Sequence, residues 1–363
     1  MSDWRRSYRA AFSGRSAIFP AVIFQLFIVV TIFFSVGRIS RAQSTPNTAW
    51  SVTIVLPPKV VAGKPATLAV FGADGKLASG VTVEVTKDQR VVTDTTGRAT
   101  ITAPTESDVV IARASGGAVA ALVDADGPAT GAQPISVALV ISRKDSFSIC
   151  GGKFRGEGDA NRVKINEERA LVLAASPECL VVLPGPKVAP GLASISIQTG
   201  EAHWTAATTV VSLEFEPPHP ELMPEKKSKL EVRAVGTEQP LQIVAENQTP
   251  GVLKFTRGDV QHMRTSGGAN NLAAIEVQAI RSGEFSFHAR MAPPSDPVVA
   301  ERYMRAALSL APKELLRRLK SLTDRIARHP HDTEKAKREL EQIISTTIAG
   351  DLRTLLECAD VAL

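Results

Sequence analysis

The sequence predicts a mainly β protein in which small β-sandwiches follow one another and a short α-helical segment ends the chain. Between residues 51 and 293, runs of alternating apolar and polar residues recur at short intervals, with Gly, Asp, Asn or Pro between them. Such spacing is typical of strands in antiparallel sandwiches. From Pro297 onward the apolar residues instead recur at helical spacing. Aromatic residues make up only 5% of the chain, so the cores must be built from Val, Ala, Ile and Leu, which suits thin sheet-on-sheet packing.

The first 42 residues are predicted to be a signal peptide or a signal anchor. Four Arg before residue 16 precede an apolar run over residues 17–36, which is long enough to span the hydrocarbon core of a bilayer as a helix. Basic residues that flank a membrane span stay on its cytoplasmic side, so the chain after residue 36 is expected outside the cytoplasm. Ser40-Arg41-Ala42 offers a signal-peptidase site before Gln43. The chain is therefore expected to be exported to the periplasm or the extracellular space, either freed by cleavage or anchored in the inner membrane by residues 17–36.

The charge of the chain argues against nucleic acid as a partner. The formal net charge of +5 is small, and the N-terminal Arg residues explain part of it. A nucleic-acid-binding domain normally concentrates basic residues in one patch, whereas the basic residues here look scattered along the sequence. Export also removes nucleic acid as an ordinary partner.

After a polar, Pro-containing linker over residues 43–50, residues 51–124 are predicted to form the first sandwich. Four segments occur in order: Gly63-Lys-Pro-Ala-Thr-Leu68, Asp74-Gly-Lys76, Val81-Thr-Val-Glu-Val85 and Thr93-Asp-Thr-Thr-Gly-Arg-Ala-Thr100. This order resembles bacterial Ig-like domains and is similar to carboxypeptidase-regulatory-like modules. The resemblance implies an Ig-like β-sandwich that serves as a spacer or a binding unit on an envelope protein, and it indicates fold better than function.

Residues 135–200 are predicted to form a second sandwich after a boundary rich in Gly, Pro and Ala. Its motifs are Ile149-Cys-Gly-Gly-Lys-Phe154, Val163-Lys-Ile165, the Ser176-Pro177 turn and Gly191-Leu-Ala-Ser-Ile-Ser-Ile197. The segment resembles an IPT/TIG domain, which is also an Ig-like sandwich. Members of that family bind proteins or glycans, or have no known ligand, so the resemblance leaves the ligand open.

The IPT/TIG resemblance also places the strands that carry Cys150 and Cys179 side by side. In an oxidising compartment these two thiols are expected to form a disulfide, which leaves Cys358 unpaired in the helical segment. Two buried free thiols are the alternative, since Cys also serves as a small core residue.

A third strand-rich block, residues 201–293, matches no named family and is predicted to be a third sandwich. Its polar loop contains Ser266, Asn270 and Asn271. Hydroxyl and amide side chains on a sandwich loop can bind sugar hydroxyls, so these three residues are a candidate glycan-binding loop. The alternative is that they only form turns, for which Ser and Asn are well suited.

Residues 297–363 are predicted to form three amphipathic helices. The fold class predicted for the whole chain is therefore mainly β, with tandem Ig-like β-sandwiches and a small α-helical C-terminal segment. The first apolar stripe consists of Leu315, Leu319, Leu322 and Ile326, and the second of Leu340, Ile344, Ile348, Leu352 and Leu355. Such a face can dock on a partner protein. The alternative is a self-contained helical cap whose stripes pack on each other.

The motifs in the sequence predict neither a catalytic site nor a cofactor or metal site. The six His form no zinc-binding pair, a Gly-x-Ser-x-Gly elbow is lacking, and the Gly-rich stretch after residue 150 lacks the Gly-Lys-Ser/Thr of a phosphate-binding loop. The sequence therefore predicts a non-catalytic cell-envelope protein, not an enzyme, that acts by binding or spacing and docks another envelope protein. The alternative is a surface or secreted carbohydrate-binding or adhesion protein.

Overall fold

A computed structural model describes residues 52–86, 89–126, 134–216, 221–256, 258–331 and 333–363. The predicted signal segment, residues 1–42, and the linker, residues 43–50, lie outside these ranges. Within them the chain forms three Ig-like β-sandwiches and a C-terminal group of α-helices, which confirms the predicted fold class. None of the described helices is both long and apolar enough to cross a membrane.

The first sandwich consists of two facing sheets with a shared core between them. One sheet has the order β1-β3-β6 and the other β2-β8-β7-β4-β5, with β2 parallel to β8. The core between them is aliphatic, built mainly from Val, Ala, Ile and Leu. The strands are β1 (Thr53–Val55), β2 (Lys59–Val61), β3 (Pro65–Phe71), β4 (Thr82–Val85), β5 (Gln89–Val92), β6 (Arg98–Thr102), β7 (Val109–Ala114) and β8 (Gly117–Asp124).

The second sandwich includes a strand that belongs to both of its sheets. Its strands are β9 (Ser136–Val137), β10 (Val140–Ser142), β11 (Phe147–Cys150), β12 (Asn161–Ile165), β13 (Glu168–Ala175), β14 (Cys179–Leu183), β15 (Gly191–Thr199) and β16 (Ala202–Glu216), with a single 3-10 turn at Gly158–Ala160. The first residues of β13 pair with β12 and the following ones pair with β14, and the register of the β13–β14 pair shifts between Val172 and Ala174. A β-bulge bends a strand in this way, so β13 closes one edge of the sandwich.

The long strand β16 joins the second sandwich to the third. Its first nine residues pair with β15, and residues 212–216 pair with the first strand of the next sandwich. The predicted third block, residues 201–293, therefore starts with a half-strand that completes the second sandwich. The third sandwich adds β17 (Lys227–Val235), β18 (Gln242–Asn247), β19 (Leu253–Phe255), β20 (Val260–Arg264), β21 (Leu272–Ala279) and β22 (Phe287–Met291). Its sheets have the orders β19-β21-β17-β16 and β20-β18-β22.

The first and second sandwiches are tied together by buried polar contacts. The Thr67 hydroxyl on β3 donates to the Gly156 carbonyl at 2.7 Å and accepts from Gly158 N at 3.2 Å. The Ser176 hydroxyl donates to the Lys59 carbonyl at 2.6 Å. Because these groups are buried and satisfied, they fix the relative position of the two sandwiches.

The C-terminal segment forms four helices, so the prediction of three was wrong. They are α1 (Pro297–Leu310), α2 (Lys313–Arg328), α3 (Glu334–Thr346) and α4 (Asp351–Ala362). The predicted second stripe continues across a break at residues 347–350, where Gly350 has φ +149°. An L-residue rarely adopts this backbone conformation, so the helix ends before it and a new helix starts after it. We call residues 297–363 the helical unit.

Candidate functional site

The helical unit packs against the outer face of the first sandwich. Ile111 on β7 and Ala120 and Leu122 on β8 point away from the sandwich core and join the buried core of the helices. The inner faces of the same strands line the sandwich core. β7 and β8 are therefore covered on both sides, and the helices form a third layer on the β2-β8-β7-β4-β5 sheet.

Polar contacts hold this interface in register. The Tyr303 hydroxyl donates to the Ala120 carbonyl at 3.1 Å, and burial raises the pKa of this phenol well above its usual range. Arg302 donates to the Asp124 carboxylate at 2.5 Å and to the Val123 carbonyl at 3.0 Å. These contacts join α1 to the end of β8, so the helical unit is fixed to the first sandwich.

Most of the predicted docking face is buried within this interface and between the helices. Leu319, Leu322, Ile326 and Leu340 are fully or almost fully buried, and Leu315 and Ile344 are partly buried against the same core. Ile348 lies in the α3–α4 loop and is 88% exposed. The stripe therefore serves the helical unit itself, as in the self-contained cap, and only Ile348 is displayed to solvent.

The free side of the helical unit is the basic outer face of α2. A shallow open cleft of about 390 Å³ runs along this face. It is lined by Arg317, Lys320, Ser321, Asp324, Arg325, Arg328 and His329. Arg325 pairs with Glu339 at 2.8 Å, and Arg328 lies 3.8 Å from Asp324. Among the residues that the structure describes, Arg317, Arg318 and Lys320 have no salt-bridge partner.

This basic face stands out against the charge of the remaining chain. Residues 313–331 contain six Lys or Arg and two acidic residues. Outside this segment and the first 42 residues, acidic residues outnumber basic ones. The sequence interpretation treated the net charge as scattered and missed this concentration. Counting charge helix by helix would have found it.

A second cleft, of about 350 Å³, lies on the third sandwich beside the edge strand β20. Its lining residues are Lys229, Thr256, Val260, Gln261, His262, Met263, Ala274 and Glu276. Gln261 Nε2 is buried there without a hydrogen-bond partner among the described residues. Burial lowers the pKa of His262, and Lys337 on α3 lowers it further.

A cluster of four charged side chains marks the junction of the first sandwich, the second sandwich and α1. Asp124 lies between Arg302 and Lys59, whose Nζ is 4.0 Å away. Burial and a hydrogen bond to Asp124 raise the pKa of Glu178. The cluster joins three parts of the chain by charge-assisted contacts, which is a structural role.

The polar side chains of the candidate glycan-binding loop mostly form hydrogen bonds within the protein. Asn271 is buried, its Nδ2 donates to the Gln239 carbonyl at 2.7 Å and its Oδ1 accepts from Gly267 N at 2.8 Å. The Ser266 hydroxyl donates to the Asn270 carbonyl at 2.9 Å and accepts from Leu272 N at 3.1 Å. Only Asn270 presents a free polar side chain, so the arrangement fits turn formation better than sugar binding.

Cys150 and Cys179 are joined by a disulfide, with their Sγ atoms 2.08 Å apart. They occupy directly opposed positions on the antiparallel strands β11 and β14. Cys358 is free and lies in the interface of the helical unit, where burial raises the pKa of its thiol. Within the described residues, no group of three or more His, Cys, Asp or Glu side chains is placed to hold a metal ion.

Comparison with known proteins identifies no family for this chain. No protein-family model matches it, and no curated protein matches it in sequence. Solved structures give weak matches to proteins made of several domains. SGBP-B of the Bacteroides ovatus mixed-linkage glucan utilization locus, in complex with a mixed-linkage heptasaccharide, has a TM-score of 0.25 and 12% identity over 64% of this chain and 73% of that one.

Two further solved structures match this chain as weakly. The N-terminal four Ig domains of Dscam1 isoform 7.44 have a TM-score of 0.21 and 10% identity, covering 67% of this chain and 72% of that one. The I9–I11 tandem from titin has a TM-score of 0.19 and 11% identity, covering 66% of this chain and 95% of that one. At these TM-scores the matches carry no argument about ligand or function, and the IPT/TIG resemblance stays a prediction.

Proposed function

We propose that this chain is a non-catalytic protein of the cell envelope that acts by binding and spacing, and that the basic outer face of α2 docks an acidic envelope protein. The predicted export signal supports the location. The observation that carries the proposal is the set of exposed basic side chains, Arg317, Arg318 and Lys320, which lack a salt-bridge partner among the described residues.

The proposal moves the docking surface to the opposite side of the helices from the predicted one. The apolar stripe is buried in the shared core of the helices, whereas the basic face is open. Unpaired charges at a protein surface contribute little to stability, but a basic patch attracts an acidic partner and orients it. The sandwiches then act as a spacer that holds this face at a fixed position.

Site-specific crosslinking tests the docking surface. A photocrosslinking residue replaces Ser321, inside the α2 cleft, or Ser194, on the exposed outer sheet of the second sandwich. We expect crosslinking from native envelopes to capture one protein at Ser321 and not at Ser194. Mass spectrometry of the crosslinked peptide should place the contact in an Asp- and Glu-rich segment.

Charge reversal supplies the matched control. Arg317→Glu, Lys320→Glu and Arg328→Glu together should abolish the crosslink, and raised salt should weaken it in the wild type. Arg162→Glu, Lys164→Glu and Arg169→Glu make the same change in net charge at exposed positions of the second sandwich, and should leave the crosslink intact. A crosslink that survives the first triple variant, or disappears equally in both, would refute docking on α2.

A further inference from the structure

Five large apolar side chains are exposed on the helical unit, and three of them lie at or next to its turns, whereas Val298 and Val361 lie near the start of α1 and the end of α4. Leu310 is the last residue of α1, Leu316 lies in the first turn of α2, and Ile348 lies in the α3–α4 loop. Their exposed fractions are 47%, 40% and 88%. Exposed apolar residues that cluster mark a surface that contacts a partner or a membrane, so their relative positions matter.

All three lie at the same end of the helical unit. Asp296, which precedes α1, donates its backbone N–H to the Ala362 carbonyl at the end of α4 at 2.7 Å. The start of α1 and the end of α4 are therefore together. Since α1 and α4 also pack along one another, the end of α1 and the start of α4 lie together at the other end, and with them the α1–α2 turn and the α3–α4 loop. We call this the tether end.

The chain enters the first sandwich at the tether end. Arg113 Nε on β7 donates to the Asp351 carboxylate at 2.8 Å, so the β7–β8 hairpin lies beside the first turn of α4. The Val52 carbonyl lies against Gly117 in this hairpin, so close that no Cβ would fit there. Residue 52 thus marks where the segment arriving from the predicted membrane span reaches the folded body.

The length of that segment limits how far the tether end can lie from the membrane. Residues 37–51 separate the predicted span, residues 17–36, from residue 52. Fifteen residues can reach at most about 50 Å when fully extended. A tether of this length keeps the tether end close to the membrane, so the effective concentration of one at the other is high. Even a weak contact between them is then populated.

We propose that the tether end rests on the lipid surface of the membrane that holds residues 17–36. Leu310, Leu316 and Ile348 enter the headgroup region, and Lys313, exposed beside them, faces the phosphates of anionic lipids. Apolar and basic side chains side by side are what an interfacial contact requires. The proposal goes beyond protein docking, because it uses other residues and concerns the anchored form of the chain.

A fluorescent probe that reports its surroundings tests this contact. The full chain, with residues 1–42 and with Cys358→Ala to remove the free thiol, is placed singly into nanodiscs of phosphatidylcholine and phosphatidylglycerol. An environment-sensitive dye is attached at Ile348→Cys or, as the control, at Leu192→Cys. Leu192 lies on the second sandwich and is 90% exposed, so the two sites differ in location and not in exposure.

We expect the dye at position 348 to shift its emission to the blue and to lose about half its intensity when the lipid carries a nitroxide headgroup. The dye at position 192 should change little, and a dye at Leu316→Cys should behave like the one at 348. Equal signals at 348 and 192 would overturn the proposal. So would a signal at 348 that requires added envelope extract, because the tether end would then contact a protein.

Because each nanodisc holds one purified chain, neither an acidic partner nor a second copy can produce the expected signal. Loss of crosslinking at Ser321 leaves this measurement unchanged, so the failure of one proposal is distinguishable from the failure of the other.

Discussion

At the scale of single residues, the carboxylate of Asp360 makes the stability of the protein depend on pH. Asp360 lies on α4, and its Oδ1 is buried without a hydrogen-bond partner among the described residues. Burial raises its pKa from 3.8 to about 6, against the attraction of Lys337. Between these pH values the folded chain keeps a proton that the unfolded chain has released, so the free energy of unfolding falls as the pH rises through this window.

Asp360→Asn should therefore stabilise the protein above pH 6 and change its stability little below pH 4. The full shift corresponds to about 3 kcal/mol, and partial exposure of the side chain reduces the expected gain to about 1 kcal/mol. The melting temperature measured from pH 4 to pH 8 checks this. Glu106→Gln is the control, because it removes the same charge from an exposed turn of the first sandwich. A gain that is equal in both variants, or independent of pH, would contradict the assignment.

A second residue, Gly97, shows how a turn predicted from sequence is fixed in three dimensions. Asp94 Oδ1 accepts from the Thr96 hydroxyl at 2.7 Å and from Arg98 N at 3.2 Å, and these hydrogen bonds lower the pKa of Asp94. Gly97 follows with φ +72°. An added Cβ at Gly97 would lie 2.7 Å from Leu77 Cβ and 2.8 Å from Ala78 N. Glycine is thus needed for its backbone conformation and also for space.

These two requirements can be separated with Gly80, which has φ +73° and open space around it. Gly80→Ala should lower the free energy of unfolding by about 1 kcal/mol, because alanine adopts this backbone conformation less readily than glycine. Gly97→Ala should cost about 2 kcal/mol or more, because Leu77 must also move. Urea unfolding of the two variants measures both values. Equal losses would mean that the loop around Leu77 moves freely.

At the scale of elements, the strands and turns that depend on local sequence could be predicted, and those that depend on distant contacts could not. The Asp94–Gly97 turn and the strand after it, β6, follow from adjacent residues. Short strands such as β2 and β5 are not evident from the sequence, because three or four residues carry too little alternation. The break at Gly350 was missed because the apolar stripe continues across it.

The position of the helical unit was also missed, although the sequence contained a signal for it. Residues 118–123 of β8 are apolar without interruption. In a strand that has one face exposed to solvent, apolar and polar residues alternate instead. A continuous apolar run indicates burial on both faces, and here the second face is covered by residues more than 170 positions away. The run shows that a cover is needed, but periodicity alone does not say which segment supplies it.

The candidate site was predicted in the same partial way. The amphipathic character of α2 could be derived from its spacing, and the apolar stripe was given the docking role. In the structure the helices bury that stripe against one another, next to the layer that covers the first sandwich, and leave the charged face free. Which face of an amphipathic helix meets a partner depends on what the rest of the chain already covers, and local sequence does not contain that information.

At the scale of the whole molecule, the chain returns on itself. Sandwiches one and two are joined through Thr67 and Ser176, two and three share β16, and residues 292–296 lead from β22 into the helical unit, which packs on sandwich one. The protein is therefore not a string of independent modules. Changes at the C-terminus are expected to act on the N-terminal sandwich.

Ending the chain at residue 296 should therefore destabilise the first sandwich and not only remove a docking surface. Ile111, Ala120 and Leu122 would become exposed, and each large apolar side chain contributes about 1.5–3 kcal/mol when buried. We expect the truncated chain to bind a hydrophobic dye, to self-associate and to melt at a lower temperature. Gel filtration and thermal unfolding followed by circular dichroism measure these effects.

A matched variant separates exposure of the sheet from loss of the helices. Ile111→Ser and Leu122→Thr in the truncated chain make the uncovered face polar, and should restore a monomer that no longer binds the dye. The same substitutions in the full chain should loosen the helical unit, because they remove the apolar surface on which α1 and α4 lie. A truncated chain that stays monomeric without them would show that this sheet needs no cover. Loss of a partner on truncation could then be assigned to the helices alone.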